Sequence, residues 1–145
     1  MIVIRKAIST DLSALEGLQK QFHGDLFEDD RSDLMQAISD GHVWAAEDAK
    51  KLIGYQLCEL FGSDQKNFPN SIFLSELFVQ PEYRKQGIGS RLILAALKEP
   101  WLSIYEYFSL THDPHELHLS EYYEKFGFTE SGKTHAGNVK MLRAR

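Results

Sequence analysis

The chain has 145 residues, of which 43% are hydrophobic and 26% charged, with a formal net charge of −5. That is enough chain to bury a core, in an ordinary globular mixture. The acidic balance argues against a non-specific nucleic-acid binder, which needs a basic face against phosphates. The single cysteine, Cys58, excludes an internal disulfide and a cysteine-rich zinc site.

Met1 runs directly into a strand-like segment without a basic region followed by an apolar stretch, so a signal peptide is not expected. No apolar run approaches the roughly 18 residues needed to span a bilayer. A cytoplasmic protein without membrane partners is the resulting expectation. Repeats, low-complexity tracts and Gly/Ser linkers are missing, so residues 1–145 read as a single domain.

Ile2 to Ala7 alternates apolar and polar residues and predicts a first strand. Ser9-Thr10-Asp11 offers N-cap chemistry for a helix bearing Leu12, Leu15, Leu18 and Phe22 on one side. An acidic stretch with Asp25, Glu28, Asp29 and Asp30 leads to a shorter helix around Leu34, Met35 and Ile38, closed by Asp40-Gly41. Val43 to Glu47 and Leu52 to Phe61 read as strands joined by a short turn, and Gly62 to Asn70 as loop. Ile72 to Val79 is a β-prone, almost wholly apolar run stopped by Pro81.

From Ile88 the apolar residues Ile88, Leu92, Ala95 and Ala96 fall at helical spacing until Pro100. Ser103 to Thr111 predicts a strand, Glu116 to Phe126 a helix, and Phe128 to Ser131 with Val139 to Arg143 a closing strand pair. The order implies a mixed α/β sheet with a strand–helix–strand crossover across residues 72–111.

The segment LSELFVQPEYRKQGIGSRL, Leu74 to Leu92, carries the chemistry. A strand passes through a turn with Arg84, Gly87 and Gly89 into a helix, whose first N–H groups have no intrahelical partners and form an anion site. Glycines at 87 and 89 let a phosphate approach the backbone. Ser90-Arg91 after Gly89 excludes a P-loop, which ends in Gly-Lys-Ser/Thr. Leu92 stands where a dinucleotide fingerprint needs its third glycine.

Glu76 interrupts an otherwise apolar strand, and carboxylates are seldom buried unless paired or used. It reads as a general base acting through water, as an anchor for a cationic amine, or as a salt-bridge partner of a lysine.

The apolar strand, Pro-Glu-Tyr-Arg, R-x-x-G-x-G and the amphipathic helix together resemble the acetyl-CoA signature of the GNAT superfamily of N-acetyltransferases. Tyr122-Tyr123-Glu124-Lys125-Phe126-Gly127-Phe128 resembles the same family's YEKLGF segment. The resemblance is specific over about residues 72–130. It implies a mixed, mostly antiparallel central sheet splayed between the fourth and fifth strands and flanked by helices.

For the site, it implies that amides of Lys85, Gln86, Gly87, Ile88, Gly89 and Ser90, with Arg84, bind the pyrophosphate of acetyl-CoA. Leu77, Phe78 and Val79 would pair with pantetheine through their backbone. Tyr123 would donate a proton to the departing sulfur, with Glu76 as its catalytic counterpart. The acceptor would be a small cationic amine of diamine or polyamine type, held by Phe22, Phe27, Glu28 and Asp29, with an aminoglycoside-type amine left open and a solvated acidic loop as the competing reading of those carboxylates. Similar proteins are commonly homodimers.

The chain departs from the family at Glu116, where an asparagine that contacts the cofactor is frequent. His112, His115 and His118 invite a zinc reading, but a solvated helix start or a partial acid/base role for His112 is preferred and no metal is expected. A non-catalytic acetyl-CoA-binding regulatory module is the competing reading. Glu76 and Tyr123 together favour the enzyme.

Overall fold

The computed structural model describes residues 1–24, 31–62 and 69–145, with the side chains of residues 31 and 32 left aside. In chain order it contains β1 (Ile2–Lys6), α1 (Leu12–His23), α2 (Arg31–Ser39), β2 (Val43–Asp48), β3 (Lys51–Phe61), β4 (Ser71–Val79), α3 (Ile88–Lys98), β5 (Tyr107–His112), α4 (His118–Glu124), β6 (Thr129–Lys133) and β7 (Val139–Ala144). The expected alternation of elements is present, with two added 3-10 turns at Ser9–Asp11 and Pro81–Tyr83. The seven strands hydrogen-bond in the order β1-β2-β3-β4-β5-β7-β6.

Two compact units divide the chain, and β3 and β4 run through both. The first comprises Met1–Cys58 and Glu76–Glu99. Its ladders β1–β2 and β2–β3 are antiparallel. Alternation along β2 sends Val43 and Ala45 into a core with Leu15, Leu18, Leu34, Ile38, Leu52, Tyr55, Leu57 and Phe78. Here α1 and α2 cover the sheet with their apolar stripes, while α3 packs on β1 and β2 through Ile88, Leu92, Ile93 and Ala96.

The second unit comprises Glu59–Ser75 and Pro100–Arg145. In it Phe61 and Phe73 stack at 4.4 Å between ring centroids, with Leu142 against them. Strand β7 pairs antiparallel with β5 and with β6. The β4–β5 ladder is parallel and short. It holds Ser71–Tyr107, Ile72–Phe108 and Phe73–Ser109, although β4 continues to Val79 and β5 to His112. This is the splay that the resemblance implies, and the buried pair Ser71 Oγ and Ser109 Oγ, 2.8 Å apart, fastens its closed end.

Three local departures from the sequence reading have identifiable causes. Asp11 does not cap α1. Its carboxylate instead accepts from the backbone N–H of Ile8 at 2.8 Å and from both terminal nitrogens of Arg5, at 2.8 and 3.0 Å. Both carboxylate oxygens are thereby engaged by a two-pronged guanidinium contact, with the Ile8 N–H as a third donor.

β5 begins at Tyr107 rather than Ser103, because Arg145 donates to the carbonyls of Trp101, Leu102 and Tyr105 and holds that stretch in a turn. Likewise α4 begins at His118 rather than Glu116. Asp113 accepts from the His115 N–H through its side chain and from the Glu116 N–H through its carbonyl, closing a local turn first.

Candidate active site

The turn after β4 is built by backbone conformation. Val79 is followed by the 3-10 turn Pro81–Tyr83, then by Lys85 at φ 64°, and by Gly87 at φ 77° as the N-cap of α3. Left-handed conformations at 85 and 87, after an extended Arg84, are of the kind that can turn successive N–H groups into an anion-binding concavity. A Cβ on Gly87 would meet nothing within 4 Å, so its conformation rather than crowding calls for glycine. Among the described residues no side chain caps α3.

Lys85, Gln86 and Gly87 are exposed, Ile88 is buried in the core, and Gly89 and Ser90 are half-buried. The arrangement can hold an anion on backbone donors at the positive end of a helix. Arg84 turns back on the loop. Its Nε donates to the Val79 carbonyl at 2.8 Å and its guanidinium lies 5.6 Å from the Phe78 ring, so it staples the strand end to the turn.

Upstream in β4, Leu77 is half-buried and Phe78 and Val79 are buried. The close approach of β3 is made possible by Gly54, where a Cβ would come within 2.8 Å of the Phe78 carbonyl oxygen.

The Glu76 side chain is 15% exposed. Its Oε1 accepts from the Tyr55 hydroxyl at 2.6 Å and from the Gln19 amide at 3.2 Å, and His23 Nε2 lies 3.2 Å from the same oxygen. Oε2 has no hydrogen bond among the described residues. Burial, and then the Glu76 charge, push the Tyr55 phenol far above its ordinary range, so it remains a donor. Gln56, completely buried, donates to the Leu57 and Glu76 carbonyls and leaves its own Oε1 unpartnered among the described residues.

Phe22, of the expected acceptor-side residues, stacks on His23 at 4.7 Å and on Phe78 at 5.7 Å. Phe27, Glu28 and Asp29 lie outside the described residues, as do Asp25 and Asp30.

In the second unit Tyr123 sits half-buried on α4, edge-on to Tyr122 and Phe128 and stacked near His112 at 6.4 Å. Its hydroxyl has no hydrogen bond among the described residues. Burial pushes its phenol up to about 12, so it carries a transferable proton at neutral pH. His112 is buried and tied up: Nδ1 lies 2.9 Å from the Asp113 carbonyl and Nε2 2.8 Å from Ser120 Oγ, which itself donates to Glu130 at 2.6 Å.

His115 is exposed, and the exposed side chains of His118 and Glu116 lie 3.7 Å apart. Among the described residues no group of three or more His, Cys, Asp and Glu could hold a metal ion. Nor is any helix among them long and apolar enough to cross a membrane.

Tyr55, Gln19 and His23 were not legible as partners of Glu76. Tyr55 and Gln56, however, carry the same signal that singles out Glu76, namely polar groups inside an apolar run, here LIGYQLCELF.

Residues 39–130, more than half of the chain, match the acetyltransferase (GNAT) domain family. No curated protein matches the sequence. Among solved structures, the PaiA N-acetyltransferase of Thermoplasma acidophilum in complex with coenzyme A superposes with a TM-score of 0.72 at 21% identity, covering 100% of this chain and 99% of its own. The diaminobutyrate acetyltransferase EctA of Paenibacillus lautus, solved with L-2,4-diaminobutyric acid and coenzyme A, gives 0.74 at 15% identity, covering 99% and 95%. The NatC complex bound to Gag peptide and coenzyme A gives 0.78 at 17%, covering 99% and 98%.

These likenesses show a shared fold, the seven-stranded α/β arrangement with its short parallel β4–β5 ladder. The chain belongs to the GNAT acetyltransferase family. It is an acetyl-CoA-dependent acetyltransferase.

Proposed function

We propose that this enzyme moves the acetyl group of acetyl-CoA to the primary amine of a small cationic molecule of the diamine or polyamine class. The observation that carries the reading is Glu76, a largely buried carboxylate in an apolar strand whose Oε2 has no hydrogen bond among the described residues. A carboxylate in such a place attracts an ammonium group and can take its proton.

An alkyl amine with its ordinary pKa is neutral only to the order of one part in a thousand at pH 7, so proton removal is the first chemical requirement. Attack by the neutral nitrogen on the thioester carbonyl then forms the C–N bond and breaks the C–S bond. Tyr123 supplies the proton to the departing thiolate, and its retained phenolic proton supports that role. On this reading the residues Lys85 to Ser90 hold the pyrophosphate, with Arg84 shaping the turn, and Leu77 to Val79 offer backbone to the pantetheine arm. The uncapped start of α3 and the left-handed residues 85 and 87 fit such a ligand.

Phe22, with Phe27, Glu28 and Asp29, is assigned to the acceptor. The diamino acid in the EctA structure is an acceptor of this chemical kind. We also read residues 1–145 as one catalytic domain acting in the cytoplasm as a homodimer. Support for the dimer comes from β6, an edge strand whose five residues are all exposed and can meet a second copy. No metal is assigned to the reaction.

The test is thiol release from acetyl-CoA with spermidine, putrescine, 2,4-diaminobutyrate, lysine peptides and aminoglycosides. Turnover confined to the small diamines and polyamines is the expected result. A rate only with peptides would overturn the acceptor class. Tight acetyl-CoA binding without turnover of any amine would favour the regulatory module.

A further inference from the structure

Among the described residues three side chains meet Glu76 through the single oxygen Oε1, and they differ in what each can do with a proton. Tyr55 donates at 2.6 Å and keeps its proton, because burial and the adjacent charge push its phenol far up. Gln19 donates at 3.2 Å through an amide that does not titrate. His23, with Nε2 at 3.2 Å, is the one member of the three that carries an imidazole, a side chain able both to accept and to donate a proton.

Exposure follows the same order: Tyr55 is completely buried, Gln19 is buried, and the His23 side chain is 34% exposed. The carboxylate inside the apolar strand is thereby joined to solvent through an imidazole.

His23 is also held in place. It is the last residue of α1. Its ring stacks on Phe22 at 4.7 Å, and Phe22 stacks in turn on Phe78 of β4.

We propose that His23 is the proton relay of the acceptor site, a reading that rests on the role given to Glu76 above. The amine's proton is received by the Glu76 carboxylate and comes to rest on the imidazole. This leaves a carboxylate–imidazolium pair across Oε1 and Nε2. The ring then returns the proton to solvent before the next turnover. One proton leaves the nitrogen as the C–N bond forms and the C–S bond breaks, and no oxidation or reduction is involved. His23 acts through Glu76 and is a positioning and relay residue.

The experiment compares wild type, His23→Gln, His23→Ala and Glu76→Gln. Thiol release is measured with acetyl-CoA and spermidine or 2,4-diaminobutyrate, whichever turns over faster, with and without added imidazole. His23→Gln keeps a hydrogen-bond donor and loses the titrating group. It should lower kcat by about tenfold or more while the KM for acetyl-CoA stays unchanged. Added imidazole should restore His23→Ala in proportion to its concentration and leave wild type and Glu76→Gln unmoved.

Wild-type kcat in His23→Gln, or a slow His23→Ala that imidazole does not restore, overturns the relay. If Glu76→Gln is slow while both His23 variants run at the wild-type rate, only the relay falls. If Glu76→Gln itself runs at the wild-type rate, the assignment of Glu76 falls and takes the relay with it.

Discussion

Tyr55→Phe removes one hydroxyl from the floor of the site and nothing else. The ring is completely buried in the core of the first unit, in tilted contact with Phe78 at 6.3 Å, and phenylalanine preserves that packing. What is lost is a 2.6 Å hydrogen bond to the Glu76 carboxylate. Hydrogen bonds to charged groups contribute about 1.5–3 kcal/mol, against about 0.5–1.5 kcal/mol between neutral partners. Because Glu76 is largely buried, solvent replaces the lost donor poorly, and the upper half of the charged range applies.

The expected cost is therefore about 2–3 kcal/mol at pH 7, read from urea unfolding of the ligand-free protein with the m-value unchanged. In a Glu76→Gln background the same substitution should cost only about 0.5–1.5 kcal/mol, since a neutral amide has replaced the charge. A cost below about 0.5 kcal/mol, or the same cost in both backgrounds, would refute the claim that Tyr55 serves the carboxylate.

Tyr123→Phe should lower kcat by about ten- to a hundredfold with the acetyl-CoA KM little changed, measured by thiol release; wild-type turnover would remove Tyr123 from the mechanism. The same variant tests the alkaline limb. A phenol raised to about 12 in the folded protein stabilises it fully below the ordinary tyrosine range. That stability declines between about pH 10 and 12, by up to about 1.4 kcal/mol per pH unit, as the unfolded chain loses the proton first. Chemical denaturation across that window should show a shallower decline in Tyr123→Phe.

Gly89→Asp places a negative charge in the first turn of α3 and should abolish acetyl-CoA binding by calorimetry without unfolding the protein. Unaltered affinity would displace the pyrophosphate from this turn. Finally, Ala49 and Lys50 form a hairpin turn at φ 48° and 68°, where glycine is favoured. Lys50→Gly relieves a left-handed cost of about 1–2 kcal/mol against about 0.5–1 kcal/mol of added chain entropy, so stability should rise by about 0.5–1 kcal/mol in thermal or urea unfolding.

The order of elements was legible along the chain, because each long element carries its own period: alternation in β1, helical spacing from Ile88, and a largely apolar run in β4. The turn between β4 and α3 was legible as well. Gly87, a proline-bounded strand end and a following amphipathic helix are local features, and the conformation they produce depends on neighbours within a few residues. Glu76 was legible for a similar reason, as a charge where the strand pattern permits none.

Tertiary structure decided what surrounds that charge. Gln19 and His23 come from α1 and Tyr55 from β3, separated from Glu76 by 57, 53 and 21 positions, and no local period encodes such meetings. The starts of β5 and α4 were shifted for reasons of the same kind. Arg145 reaches back more than forty residues to hold the turn before Tyr107, and Asp113 closes its own turn before α4 can begin. Propensity proposes an element wherever backbone groups lack better partners, and a distant guanidinium or a nearby carboxylate supplies partners that only the folded chain brings within reach.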